Sequence, residues 1–184
     1  MYASTHDFRL FFTNKGRVFR LKTYEVPPVG LNAKGVAIVN LLQLQPEETV
    51  SSVINVSKQQ VNSGHLFMCT VRGVVKKTPF EQYQNVRTSG LIAINLDAGD
   101  ELKWIRITSG DNEVVISTSQ GQAIRFHEKD ARPMGRVSRG VRGIRLRAND
   151  RVIGMDIVEE GSEVFVISKF GYGKRTKISQ FTAH

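Results

Sequence analysis

Hydrophobic and polar residues alternate in short runs along this chain. The clearest runs are 151–157 and 163–167, in which every second residue is apolar over much of the run. This alternation is the period of a half-buried β-strand, because successive side chains of a strand point to opposite faces. The one helical candidate, 127–131, is too short for an independent α-helix and runs into Pro133. The pattern therefore predicts an almost entirely β chain.

Four segments of the chain repeat one pattern. Each has an apolar run, a few turn residues, a glycine and, four residues after the glycine, a basic residue. The glycines are Gly16, Gly73, Gly121 and Gly171. They recur about every 50 residues, a period typical of propellers and other repeat architectures. Since glycine accepts a positive φ without steric cost, we expect each one to lie in the turn of a β-hairpin.

The first three repeats also contain a second glycine, at Gly35, Gly90 and Gly140. An apolar stretch, an acidic turn and another apolar stretch follow each of them, so a complete repeat predicts about four short strands, as in a propeller blade. We expect one partial propeller-like domain over 1–184, with repeats at approximately 8–57, 65–108, 114–158 and 164–184, the last incomplete. Because blades are covered only by their neighbours, we expect the chain to be part of a longer array.

Composition narrows the functional classes. The chain has 184 residues, 40% of them hydrophobic, and 26 Lys and Arg against 17 Asp and Glu give a net charge of +9. This balance favours a polyanionic partner. The single cysteine, Cys69, excludes an internal disulfide and a cysteine-cluster zinc site, and its apolar surroundings predict a buried, unreactive thiol. No apolar run is long enough for a membrane helix, so we expect no membrane partner and a cytoplasmic location.

Catalytic motifs are missing from the sequence. It has no Gly-x-x-x-x-Gly-Lys-Ser/Thr nucleotide loop, its four histidines are scattered, and its acidic residues fall mostly in turns. Metal sites and acid–base pairs need clustered side chains. We therefore predict no catalytic residue, no metal and no cofactor in this chain.

Basic residues instead recur at equivalent places in the repeats. This set consists of Arg17, Arg20, Lys22, Lys76, Lys77, Arg125, Lys174, Arg175 and Lys177. If the repeats are blades, equivalent positions form a stripe along the outside, and such a stripe binds DNA phosphates without reading sequence. The alternative is that these side chains are only the solvated faces of strands and bind no ligand.

A second basic cluster lies between Arg132 and Arg151, which span seven arginines and one acid, Asp150. Interleaved glycines let the backbone approach a phosphate, and arginine forks suit phosphate oxygens. The candidate contacts here are Arg136, Arg139, Arg142 and Arg145, to which we add Lys34 and Arg87 from the equivalent parts of the earlier repeats. The alternative is a flexible charged loop without function.

Four segments resemble the C-terminal domain of bacterial DNA gyrase A: Phe11–Lys22, Ala33–Leu42, Arg139–Ile144 and Phe170–Thr176. The resemblance implies a six-bladed β-pinwheel, in which neighbouring blades exchange strands and double-stranded DNA wraps around a basic rim. It also implies a parent heterotetramer formed by gyrase A with gyrase B. That enzyme introduces negative supercoils with ATP and magnesium, which bind other domains.

The family's hallmark motif, Gln-Arg-Arg-Gly-Gly-Lys-Gly, has no copy in this chain. The corresponding protein of topoisomerase IV therefore stays an alternative parent, although Val39–Leu42 resembles gyrase more closely. A functional alternative from another class is a propeller-like interaction module whose basic rim binds an acidic protein. Salt dependence separates the two, because binding to many phosphates weakens steeply as salt rises.

Overall fold

The computed structural model describes residues 4–30, 32–57 and 64–183, and in this part of the chain the fold is built from thirteen short strands. The strands are β1 (Phe8–Thr13), β2 (Arg17–Lys22), β3 (Val50–Val56), β4 (His65–Thr70), β5 (Val74–Pro79), β6 (Leu91–Ile92), β7 (Leu102–Thr108), β8 (Glu113–Thr118), β9 (Ala123–His127), β10 (Val141–Arg142), β11 (Val152–Ile157), β12 (Glu163–Ile167) and β13 (Gly173–Lys177). The described helices are single 3-10 turns, at Thr23–Glu25, Ile38–Asn40, Phe80–Tyr83, Glu128–Asp130 and Ile178–Gln180. The prediction of an all-β chain is confirmed. None of these helices is long and apolar enough to cross a membrane.

The sheets show that neighbouring repeats exchange strands. Their orders are β3-β1-β2-β6, β7-β4-β5-β10, β11-β8-β9 and β12-β13. β6 belongs to the second repeat but pairs with β2 of the first, with Arg17 opposite Ile92. β10 of the third repeat pairs in the same way with β5 of the second, with Val141 opposite Val75. This exchange confirms a partial β-pinwheel.

The strand order also defines an inner and an outer side of each blade. β7 packs against β3 of the preceding blade and β11 of the following one, so these three strands lie where the blades converge. The exchanged strands β6 and β10 occupy the opposite edges of their sheets. Residues on and beside β6 and β10 therefore lie at the outer edge of the blade array.

The turn glycines close the hairpins as predicted and also receive the exchanged segments. Gly16 has a φ of +75°, and its carbonyl oxygen accepts the N–H of Ala93 at 2.8 Å. A Cβ on Gly16 would lie 2.5 Å from the carbonyl oxygen of Ile94, far inside van der Waals contact. Gly73 receives Ile144 in the same manner, with Ile144 Cγ2 2.7 Å from a Cβ built on the glycine. Glycine is thus required here by both the backbone angle and the approach of the next repeat.

Each acidic turn is tied to the tip of the hairpin in its own repeat. Glu48 accepts a hydrogen bond from the Thr13 hydroxyl at 2.6 Å, and Asp100 accepts one from the backbone N–H of Arg72 at 2.9 Å. Asp150 makes the equivalent contact in the third repeat. Although desolvation opposes it, hydrogen bonds from neighbouring hydroxyl and N–H groups lower the pKa of Asp150 to about 2. These acids therefore stabilise the hairpins and are not spare charges on the surface.

The hydrophobic core lies between blades. Leu10 and Phe12 of the first sheet pack with Leu66 and Met68 of the second in one buried cluster. A second cluster joins the second sheet to the third and includes Cys69, which has no exposed surface. Burial raises the pKa of the Cys69 thiol, in agreement with the predicted unreactive side chain.

Two strand expectations need correction. The apolar segment after Gly35 forms only the turn Ile38–Asn40, and Val39 is exposed. The sheet that contains Gly121 has three strands instead of four. Strand exchange explains both results. An exchanged strand pairs with the second hairpin strand of the preceding repeat, and without that partner it gains no ladder hydrogen bonds. Among the described residues, neither pairing is present.

Candidate nucleic-acid interface

The basic residue four positions after each turn glycine clamps adjacent repeats together in the first three repeats. Its side chain donates to backbone carbonyl oxygens in or next to the 3-10 turn of the following repeat. The pairs are Arg20 with Gln84, Lys77 with Glu128 at 2.7 Å, and Arg125 with Ile178 and Phe181 at 3.1 and 3.2 Å. The repeated charge therefore has a repeated structural partner.

The surroundings of the clamps bury Lys77 and cover part of Arg20 and Arg125. Lys77 is buried, its ammonium lies 3.9 Å from a Glu128 carboxylate oxygen, and burial lowers its pKa. The guanidinium of Arg20 lies 4.8 Å from the ring centroid of Phe8, and Arg125 pairs with Glu113 at 3.0 Å. The expectation of a DNA-facing stripe is corrected for buried Lys77, whereas Arg20 and Arg125 are half-buried at the contact between repeats, and their contact with DNA stays a prediction.

Arg17 and Lys76 are also held within the protein. Arg17 forms a 2.7 Å ion pair with buried Glu48 and donates to the carbonyl oxygen of Ser89 at 2.6 Å. Lys76 has no exposed surface, and burial, helped by the nearby charge of Arg136, lowers its pKa to about 8. The structure therefore does not present Lys76 to a duplex, whereas contact of half-buried Arg17 with DNA stays a prediction.

The other predicted contacts are accessible. Arg136 is half-buried, and nine further residues are exposed: Lys22, Lys34, Arg87, Arg139, Arg142, Arg145, Lys174, Arg175 and Lys177. Some of them touch neighbouring side chains. Lys22 lies 5.3 Å from the ring centroid of Tyr24, and Arg175 lies 3.4 Å from Glu163. Exposed pairs of this kind cost little to break, so these side chains can reach a ligand.

Several of the accessible bases lie near the second glycine of a repeat, at the outer edge of the blades. Arg87 precedes Gly90 by three residues, next to β6, while Arg139 and Arg142 flank Gly140, with Arg142 in β10. We call Arg87, Arg139, Arg142 and Arg145 the outer-edge arginines. They belong to the segments that are exchanged between blades, so the strand exchange itself carries positive charge to the rim.

Residues 135–139, which we call the arginine loop, have a defined shape. The N–H of Arg136 donates to Gln82 Oε1 at 2.7 Å, and Asn95 Nδ2 donates to the carbonyl oxygen of Val137 at 2.6 Å. The side chain of Arg139 pairs with Asp97 at the surface. Sequence reasoning missed Gln82 and Asn95, because no local pattern shows that their side chains hold a loop of the following repeat. These contacts do not fit the alternative of a flexible loop.

A cleft at the fourth repeat offers no catalytic arrangement. It has a volume of about 710 Å³ and lies between the third sheet and the β12–β13 hairpin, where Trp104, Met155 and Phe165 line it. Its charged pair, Arg106 with Asp156 at 2.8 Å, is a bidentate ion pair at the surface. Among the described residues, no three His, Cys, Asp or Glu side chains gather closely enough to hold a metal ion.

Comparison with known proteins places this architecture in a family. The family model described as "DNA gyrase C-terminal domain, beta-propeller" matches residues 10–57, 64–109, 112–159 and 162–183. Repeats that exchange strands and match this model define a β-pinwheel of the type II topoisomerases. The chain belongs to the DNA gyrase C-terminal domain family.

Similar proteins support this assignment. The chain is 42% identical over 180 residues to the DNA gyrase A protein of Staphylococcus epidermidis (strain ATCC 12228 / FDA PCI 1200), covering 97% of this chain and 20% of the relative. It is 43% identical over 180 residues to that of Staphylococcus aureus (strain NCTC 8325 / PS 47), with the same coverage of both proteins. The chain thus spans about a fifth of the length of these relatives.

Two solved structures share its fold. The C-terminal domain of DNA topoisomerase IV superposes with a TM-score of 0.89 at 28% identity, covering 98% of this chain and 56% of that one. A DNA gyrase A C-terminal domain superposes with a TM-score of 0.79 at 25% identity, covering 98% of this chain and 57% of that one.

Proposed function

We propose that this chain binds double-stranded DNA without sequence preference and bends it around the outer edge of the blade array. The observation that carries the proposal is the position of the outer-edge arginines, exposed on and beside the exchanged segments of successive repeats. The net charge of +9 adds a long-range attraction for a polyanion. Binding of this kind is driven by release of counterions from the phosphates, so base sequence has little effect on affinity.

The bending follows from how the blades are joined. Exchanged strands and buried clamps such as Lys77 hold each repeat against the next one, so the outer edge keeps a fixed curvature. A duplex that contacts the outer-edge arginines of several blades must follow that curvature. Bending 20–30 base pairs costs roughly 1–6 kcal/mol, so contacts on more than one blade are needed to hold the bend.

The parent protein we propose is DNA gyrase A, with the corresponding protein of topoisomerase IV as the alternative. In gyrase this chain would supply DNA wrapping, while other domains and gyrase B supply strand passage with ATP and magnesium in the cytoplasm. The proposal rests on the family assignment and on the names of the relatives. We expect the isolated chain to bind a plasmid without changing its linking number.

A salt titration with matched variants tests the DNA-binding proposal. Arg139→Gln/Arg142→Gln removes two charges at the outer edge. Lys103→Gln/Lys129→Gln removes two exposed charges elsewhere, on inner strand β7 and on a 3-10 turn. The first pair should lower the slope of log affinity against log salt by about two, whereas the control pair should leave it unchanged. Equal slopes for both pairs, or binding to an acidic protein but not to DNA, would contradict the proposal.

A further inference from the structure

Lys76 is a buried cation beneath the arginine loop. Its side chain has no exposed surface, and its ammonium donates to three backbone carbonyl oxygens. One acceptor is Ala93, at 2.8 Å, in the segment that follows β6. The other two, Arg136 and Ser138, the latter at 3.1 Å, belong to the arginine loop. A residue of the second repeat therefore holds the backbone of a loop from the third.

The charge of Lys76 has no carboxylate partner within ion-pair distance among the described residues, and it is compensated by the three carbonyl dipoles. A buried ammonium is costly unless all its donors are satisfied, so these carbonyls are drawn towards one point. Two of the three carbonyls turn inward from the arginine loop. Val137, which lies between those two residues in the chain, is exposed at the tip of the loop.

The first and third repeats show that the blade itself does not need a lysine at this position, whereas the fourth has the exposed Lys174 there. The residue three positions after the turn glycine is Phe19 in the first repeat and Ile124 in the third. Phe19 is buried, and Ile124 packs against the second core cluster. An apolar side chain at this position thus satisfies the packing of the blade. The packing does not require the ammonium group of Lys76.

We propose that Lys76 is a positioning residue for DNA binding, holding the arginine loop so that Arg136 and Arg139 face the duplex backbone. The inference rests on the proposed DNA-binding function. It means that a buried side chain, which does not touch DNA, contributes to the affinity for DNA. Asn95 assists from the other side, through its 2.6 Å hydrogen bond to the carbonyl oxygen of Val137. The loop begins at Gly135 and is followed by Gly140, so without these anchors its backbone has wide conformational freedom.

The test measures the salt slope of DNA binding for Lys76→Met, which keeps the side-chain length but removes the charge. The slope should fall by up to about two, the contribution of Arg136 and Arg139, although the substituted side chain is buried. Ile105→Val is the control, because Ile105 is also buried but lies on the inner strand β7, at the opposite edge of the sheet from β10. It should lower the melting temperature and leave the salt slope unchanged.

A double-mutant cycle separates positioning from general destabilisation. In an Arg136→Gln/Arg139→Gln background, Lys76→Met should have no further effect on the slope, since the side chains that it positions are gone. An equal effect in both backgrounds, or a folded Lys76→Met variant with wild-type affinity and slope, would overturn the inference. If Lys76→Met does not fold, Asn95→Ala decides: a lower slope supports positioning, and a wild-type slope overturns it. Failure of the wild-type chain to bind DNA would instead refute the proposed function.

Discussion

The ammonium group of Lys77 donates to the carbonyl oxygen of Glu128 at 2.7 Å, across the boundary between two repeats. The same contact joins Arg20 to the second repeat and Arg125 to the fourth. A basic residue that recurs at one offset is therefore explained by a recurring need to hold the next blade. Its periodicity reflects the assembly of the array and not the spacing of a ligand.

The first prediction concerns this clamp. Replacing Lys77 by methionine should lower the free energy of unfolding by about 2–4 kcal/mol, because it removes a buried hydrogen bond and the nearest cation from buried Glu128. Urea denaturation measures the change. Lys103→Met, which alters an exposed lysine on β7, is the control and should stay within about 0.5 kcal/mol of wild type. A similar loss in both variants would remove the evidence for a special role of the clamp.

The second prediction separates backbone strain from contact with the exchanged strand. Gly16 and Gly121 occupy the same hairpin position with φ values of +75° and +78°, but of these two only Gly16 receives an exchanged segment within the described part of the chain. Gly121→Ala should cost about 1 kcal/mol, the usual penalty for alanine at positive φ. Gly16→Ala should cost clearly more, because its Cβ would lie 2.5 Å from the Ile94 carbonyl oxygen.

Urea denaturation of both alanine variants, together with amide hydrogen exchange at Ala93, measures this difference. The Ala93 N–H bonds to the Gly16 carbonyl oxygen at 2.8 Å, so its protection should fall in Gly16→Ala only. Equal destabilisation of the two variants, with Ala93 still protected, would show that the exchanged strand adapts to the extra methyl group.

The third prediction is a pH dependence from Lys76. Its pKa is about 8 in the folded protein against 10.5 for an ordinary lysine, so the folded state releases this proton first. The contribution of Lys76 to the free energy of unfolding therefore rises with pH between about 8 and 10.5. Below about pH 8 the cost of burying the charged ammonium is fully present. The difference in unfolding free energy between wild type and Lys76→Met should change with pH in that direction. Parallel curves through this range would contradict the depressed pKa.

Local features of the fold could be predicted from the sequence, whereas the roles of the basic residues could not. Gly16 and Gly73 mark hairpin turns because a positive φ is a property of the turn itself. The destination of β6 depends on a neighbouring repeat, and no local pattern encodes it. Only the resemblance to the gyrase family implied the exchange of strands.

The same dependence on neighbours decided which charges are accessible. Alternation along β2 and β5 gives the face on which Arg20 and Lys77 lie, but it does not show that the following repeat covers that face. Arg139 and Arg142 stay accessible because they lie on the covering segment itself. Basic residues at periodic positions therefore indicated a shared role. The contact between blades supplies one such role, which the sequence alone did not show.

The most direct test of DNA wrapping at the outer edge is energy transfer between fluorophores on the two ends of a duplex long enough to cross several blades. Wild-type protein should bring the ends together. Neutralising the four outer-edge arginines to glutamine should abolish the bend and leave only weak binding, since several blades must contribute to offset the bending cost. The variant with Lys103 and Lys129 neutralised should bend DNA like wild type. Wild-type bending by the fourfold variant, with its circular dichroism spectrum unchanged, would contradict wrapping at this edge.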